Sequence, residues 1–393
     1  LNAEQLELIN SADTPFQKKI PRDKRIPFEP SVKNTNASYS VFGWEFQIIS
    51  AIIISLNEIK DMSSVIVEGN TEDIELYFEK KEPEYIQAKA IQKTPTDKAD
   101  SKKIIAALNT LINTSNVTHG KYSKLMVIVN YQNPLNLGQS DINAYWMPSM
   151  RGLFEREYKV LPSSGKKYIT NYLNKAKKSL EDGGYLSTTN FFDYDRLSIA
   201  TNLFSGLKSD TQRYSVLIYT LRNFITNVCK LSSTFENCVE NVKNMLITQY
   251  FDLAGRPKEE RKVSISKKQL VWKIIICLMH EPPEKFMNEM PIDVLEELEP
   301  YRDYFLSNQI KKIDNINKIL SDFLKYSKAN KQINQNELIE NFVTDNWENY
   351  KELFPVENEV TEDAEFWGIK YIILSVIYGS HMINKVKDSV NIK

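Results

Sequence analysis

Residues 68–90 read EGNTEDIELYFEKKEPEYIQAKA, and the fold turns on how this stretch is divided. Asp73–Phe78 (DIELYF) and Glu84–Ala90 (EYIQAKA) are short, β-rich runs separated by the turn-like Lys80–Pro83. A third run, Ser64–Glu68 (SVIVE), precedes them across Gly69-Asn70-Thr71. Strands at this spacing, punctuated by Gly and Pro, form a hairpin or meander. Upstream, Val41–Ile59 carries Phe42, Phe46, Ile49, Ile53 and Leu56 at helical spacing. Downstream come a helix over about 102–112 and the apolar strand Leu125–Val129. The order helix–strand–strand–strand–helix–strand predicts an α/β unit with a small mixed sheet flanked by helices.

The same stretch carries the chemistry. Side chains alternate faces along a strand, so Gln87 and Lys89 share one face and Ala88 points to the other. Asp73 and Glu75 likewise share a face. If the two strands are neighbours, a carboxylate, an amide oxygen and an ammonium converge. That set suits a divalent cation with oxygen ligands: the Asp73 carboxylate, the Gln87 amide oxygen and the Ala88 carbonyl. Lys89 would orient or activate the attacking water and offset charge developing on a phosphate.

This pattern resembles the PD-(D/E)xK nuclease core, in the variant whose last motif reads QxK. Gly43-Trp44-Glu45-Phe46-Gln47 matches the GxxF(E/Q) form of that family's helix motif. The resemblance covers about residues 38–135 and is nearest to the double-stranded DNA endonuclease domain of bacterial anti-phage effectors, found in cyclic-nucleotide-activated and Lamassu systems. It implies a restriction-endonuclease-like fold, Asp73 and Gln87 as ligands of Mg²⁺ or Mn²⁺, Lys89 as the catalytic lysine, and Gln47 as a catalytic residue near the metal. It also implies double-stranded DNA as substrate, an SMC-like ATPase and an accessory subunit as partners, and homo-oligomer formation on activation. Two departures stand out: no proline precedes Asp73, and Gln87 is a neutral ligand. Glu68 reads equally as a further acid or as a strand-end residue. Glu45, two positions from Gln47, falls on another helical face and is the weaker candidate.

Composition sets the surroundings. With 393 residues, 42% hydrophobic and 26% charged, the chain is long enough for two folded domains. The expected division is an extended, proline-punctuated arm at 1–36, a nuclease domain at 37–190, and a mostly helical partner-binding or regulatory domain at 191–393. Helical runs include Leu197–Gly206, Tyr214–Lys230, Phe235–Phe251, Lys267–Met279, Ile310–Tyr326 and Phe366–Ile383. Three cysteines without a CxxC pair and three histidines leave no basis for a disulfide framework, a cysteine zinc site or a Ser-His-Asp triad. No GxxxxGK[ST] loop is present, so ATP hydrolysis is not expected of this chain.

Net charge is −1, but residues 101–280 hold 25 basic against 13 acidic side chains, and residues 281–393 hold 13 against 21. A basic middle suits a polyanion, and an acidic tail suits a basic partner or an internal mask. Lys166–Lys178 (KKYITNYLNKAKK) reads as a DNA contact or as a solvated helix face whose tyrosines pack inward. Ser266 is the expected N-cap of the helix that follows it. No basic n-region with an apolar core opens the sequence. Its longest apolar runs are short of a bilayer span, so a cytoplasmic protein without membrane contact is expected. A non-catalytic DNA-binding or scaffold subunit on the same fold, and a nuclease with its own cyclic-nucleotide site, are the alternative readings.

Overall fold

The computed structural model describes residues 38–92, 101–182, 191–205, 210–255, 264–279, 288–298, 313–353 and 361–392. The arm expected at 1–36 lies outside them, as do 256–263 and, within the acidic tail, 281–287, 299–312 and 354–360.

Helix α1 (Ser38–Asn57) is followed by the antiparallel meander β1 (Met62–Val67), β2 (Ile74–Phe78) and β3 (Glu84–Lys89). Helix α2 (Ser101–Val117) then crosses over to β4 (Lys124–Val129), which lies parallel to β3 and is followed by the short α3 (Gln139–Tyr145). The expected order of elements is therefore present. The sheet grows at both edges, to seven strands in the order β5-β6-β4-β3-β2-β1-β7. On one side β6 (Leu197–Thr201) runs parallel to β4, and β5 (Phe154–Glu157) pairs antiparallel with β6. On the other, the two-residue β7 (Ile265–Ser266) pairs with β1.

Strand β6 corrects the helix expected over Leu197–Gly206. All five residues of LSIAT are buried between two neighbouring strands. A short, wholly buried run has no periodicity to separate strand from helix. Strands from both sides of the boundary expected near 190 hydrogen-bond in one sheet. Residues 40–393 cluster as one compact unit.

The two faces of the sheet are covered differently. Tyr85, Leu125, Val127, Val129, Leu197 and Ile199 pack with α2 and α4 (Ser163–Asp182) in one cluster. Helix α2 meets the sheet through Ile104, Ala107, Leu108, Leu111 and Ile112, spaced at i, i+3, i+4, i+7 and i+8. Ile74, Leu76, Ile86, Ala88, Met126 and Ile128 form the other face, and their cluster continues through α1 into the later helices. These are α5 (Ser215–Asn223), α6 (Val239–Ala254), α7 (Lys267–Leu278), α8 (Ile292–Leu298), α9 (Ile313–Ala329), α10 (Gln335–Asn346) and α11 (Glu362–Ser389). The helical half thus completes the core beneath α1 and has no separate apolar cluster among the described residues.

From Phe46 to Leu56 helix α1 is buried on nearly every side, including Ser50 and Ser55. Tyr250 donates to Ser55 Oγ at 3.0 Å, Ser55 donates back to the Ala51 carbonyl at 2.7 Å, and Asn202 donates to Ser50 Oγ at 3.1 Å. A buried hydroxyl without such a partner would cost about 1–3 kcal/mol. Ser266 caps α7 as expected, accepting from the Gln269 amide while the Gln269 side chain accepts from the Ser266 amide. Helix α11, at 28 residues, is longer than its apolar run suggests; by length and composition it could cross a bilayer. Buried residues make up 61% of its apolar window, which is the pattern of a core helix.

Candidate functional site

The β1–β2 turn and the end of β3 build the site. Gly69 N–H donates to the Glu72 carbonyl and Glu68 N–H to the Asp73 carbonyl at 2.8 Å, which closes the turn with Glu68 at φ +54°. The register Ile74↔Ile86 and Glu75↔Tyr85 sets Asp73 across from Gln87. One oxygen of Asp73 then collects three donors: the Gln87 side-chain amide, the Ala88 N–H at 2.9 Å and the Lys89 ammonium at 3.5 Å. Gln87 is buried, whereas the Asp73 and Lys89 side chains are 17% and 23% exposed. Asp73, Gln87 and Lys89 are therefore brought together as expected, on the sheet face covered by α2.

Three carboxylates crowd this turn, and each has a different environment. Glu75 is buried and satisfied: Thr71 N–H (2.9 Å), Thr71 Oγ1 (2.6 Å), Glu72 N–H (3.3 Å) and Tyr77 O–H (2.7 Å) all donate to it. It sits against Gly69, where an added Cβ would lie 2.3 Å from Glu75 Oε1. Glu75 is thus a clamp that shapes the turn, and burial with this hydrogen bond drives the Tyr77 hydroxyl pKa up. Glu72, which the sequence reading passed over, is 4% exposed. Its Oε1 accepts from Thr114 Oγ1 of α2 at 2.5 Å, and its Oε2 is buried without a partner.

Burial pushes the Glu72 carboxyl up to about 8, further raised by the charge of Asp73 and opposed by Thr114 and Lys89. Its value in the folded state thus lies above the ordinary 4.5, so the folded form keeps a proton that the unfolded chain has released. That contribution to stability is complete below about pH 4.5 and is lost as pH rises through about 8. In metal-free buffer, the melting temperature of the wild type is expected to fall from about pH 5.5 to about pH 8.5 more steeply than that of Glu72→Gln. Parallel slopes would contradict this.

The remaining expectations fall elsewhere. Gln47 lies on α1, whose apolar residues pack on the opposite sheet face, and its Oε1 is buried without a hydrogen-bond partner. No hydrogen bond joins it to Asp73, Gln87 or Lys89. Glu45 is engaged by Arg213 at 3.1 Å and by the Tyr214 hydroxyl, which ties α1 to the segment before α5. His119 sits beyond the end of α2 at φ +52°, edge-on to Phe191. In α4, Ile169, Leu173 and Ala176 face the core, Tyr168 and Tyr172 contact each other edge to face, and Lys167, Lys175 and Lys178 are exposed. Two cavities of about 620 and 600 Å³ are lined by other residues, the first by His119, Phe191 and Arg196 and the second by Lys60, Lys81 and Lys267.

The donor set fits a hard divalent cation. Mg²⁺ is commonly held by one or two carboxylates, with water completing its shell. Asp73 offers an accessible carboxylate, and a turn of the adjacent Gln87 amide would present its oxygen. The N–H and C=O of a strand residue point to the same edge, so the Ala88 carbonyl faces the side on which its N–H meets Asp73. The described residues contain no group of three His, Cys, Asp or Glu side chains arranged to hold a metal, so amide, carbonyl and water oxygens would have to complete the shell. No protein-family model, curated protein or solved structure matches the chain.

Proposed function

We propose that the chain is a metal-dependent DNA endonuclease, the effector subunit of a bacterial anti-phage defence assembly, held inactive until partner-triggered assembly. The observation that carries the enzymatic part is the meeting of the Gln87 amide, the Ala88 N–H and the Lys89 ammonium at one oxygen of Asp73. The meander with a parallel β4 supports a restriction-endonuclease-like reading. The exposed lysines of α4, on the same sheet face as Asp73, suit a phosphate backbone.

In this reading Asp73, Gln87 and the Ala88 carbonyl hold Mg²⁺ or Mn²⁺, which supplies Lewis-acid polarisation of the phosphate and a more acidic water. Lys89 positions the attacking water beside Asp73 and offsets charge that develops on the phosphoryl oxygens. Burial of Gln87 and the backbone bond from Ala88 fix the Asp73 carboxylate, so less reorganisation is needed during the reaction. No groove-reading motif accompanies the cluster, which fits cleavage with little sequence preference. The defence role, the SMC-like ATPase and accessory partners, and assembly on activation rest on the resemblance of residues 38–135, an analogy at the level of family.

The test is cleavage of supercoiled plasmid by the intact chain, alone and with such partners, in Mg²⁺, Mn²⁺ or EDTA. Asp73→Asn, which keeps the shape of the side chain and removes its charge, should abolish metal-dependent cutting. A purely scaffolding subunit would cut under none of these conditions.

A further inference from the structure

We infer that Glu72 is a second carboxylate ligand of the divalent cation proposed at Asp73. This rests on the metal-dependent reading above and adds to it a residue outside the Asp–QxK pattern. Glu72 occupies the position directly before Asp73 in the turn, within the fields of both Asp73 and Lys89. Thr114 of α2 fixes one of its oxygens at 2.5 Å, and the other is buried with no partner.

The contrast with Glu75 carries the inference. Both side chains are buried in the same turn, but Glu75 has four donors on its two oxygens. Its burial is explained by the structure it holds. Glu72 has Thr114 alone, and neither protonation state accounts for the second oxygen. If ionised, Oε2 requires a donor or a cation; if protonated, its O–H requires an acceptor. Among the described residues the ammonium paired in this turn, Lys89, is at Asp73 and leaves Glu72 without an ion-pair partner. A divalent ion shared by Asp73 and Glu72 would satisfy the orphan oxygen, with Glu72 as the second carboxylate ligand beside the neutral Gln87.

The experiment is Mn²⁺ binding to the full chain, measured by calorimetry and by the loss of the free-ion signal in electron paramagnetic resonance. Wild type, Glu72→Gln, Thr114→Val and Asp73→Asn are compared, with no activity readout required. Glu72→Gln keeps an oxygen to accept from Thr114 and is expected to weaken Mn²⁺ binding by about tenfold or more. Thr114→Val keeps the carboxylate but removes the hydrogen bond that orients it, so it should weaken binding clearly less than Glu72→Gln. Equal affinity of wild type and Glu72→Gln would overturn the inference alone, leaving Asp73 and Gln87 as ligands and a buried water as the partner of Oε2. Equal weakening in Glu72→Gln and Thr114→Val would also overturn it, in favour of a structural role. Absence of binding by wild type and Asp73→Asn alike would overturn the metal site as a whole.

Discussion

Lys89→Ala is expected to lower metal-dependent plasmid cleavage by about 10²–10³-fold while leaving the fold intact. The size follows from removing a preorganised cation from the place where negative charge develops, which typically costs factors of this order. The two effects separate because of where Lys89 sits. Its ammonium is 3.5 Å from Asp73 at the end of β3, and both side chains are partly exposed. Such a pair contributes about 1 kcal/mol or less to stability. The variant should therefore melt within a few degrees of wild type and still bind Mn²⁺ through Asp73. Cleavage at the wild-type rate by a well-folded Lys89→Ala protein would remove Lys89 from the chemistry. A loss of cleavage that tracks a loss of structure would make Lys89 a folding residue.

Gly69→Ala is expected to destabilise the protein by roughly 2–4 kcal/mol, although the residue is small and lies in a turn. The cause is contact: a Cβ at position 69 would lie 2.3 Å from Glu75 Oε1 and 2.4 Å from its Cδ. The Glu75 carboxylate cannot move without giving up bonds from Thr71, Glu72 and Tyr77 while still buried. That turn also delivers Asp73 and Glu72, so the same substitution should weaken Mn²⁺ binding. Urea unfolding measures the first effect through the midpoint at unchanged slope. A shift within about 0.5 kcal/mol, the range of an ordinary surface change, would show that the clamp is softer than its geometry indicates.

Much of the sheet's centre was legible in the sequence, for local reasons. Gly69-Asn70-Thr71 and Lys80–Pro83 punctuate three short β-rich runs, and alternation alone puts Gln87 and Lys89 on one face. The edges of the sheet were not legible. LSIAT at Leu197–Thr201 is a strand because β4 and β5 flank it, and β7 is only two residues paired to β1. Composition changes near the boundary expected at 190, and the later helices cover a face of the earlier sheet and share its core.

The site divides in the same way. Asp73, Gln87 and Lys89 are separated by one hairpin, and a register argument reaches them. Glu72 becomes notable only when α2, 42 residues away in sequence, lays Thr114 against it. Nothing in the string TED distinguishes that buried acid from its partly exposed neighbour Asp73. Glu45 shows the converse: its place in a motif drew notice, yet Arg213 and Tyr214 hold it in a structural contact.

Metal dependence of cleavage by the intact protein tests the central claim most directly. Supercoiled plasmid is incubated with wild type and with Asp73→Asn, with and without candidate partner subunits, across a titration of Mn²⁺ and in EDTA. The predicted result is nicked and linear DNA that appears with Mn²⁺, vanishes in EDTA and is absent for Asp73→Asn at matched concentration and folding. Cutting that persists in EDTA, or that Asp73→Asn performs as well as wild type, would contradict a phosphodiesterase centre at Asp73, Gln87 and Lys89.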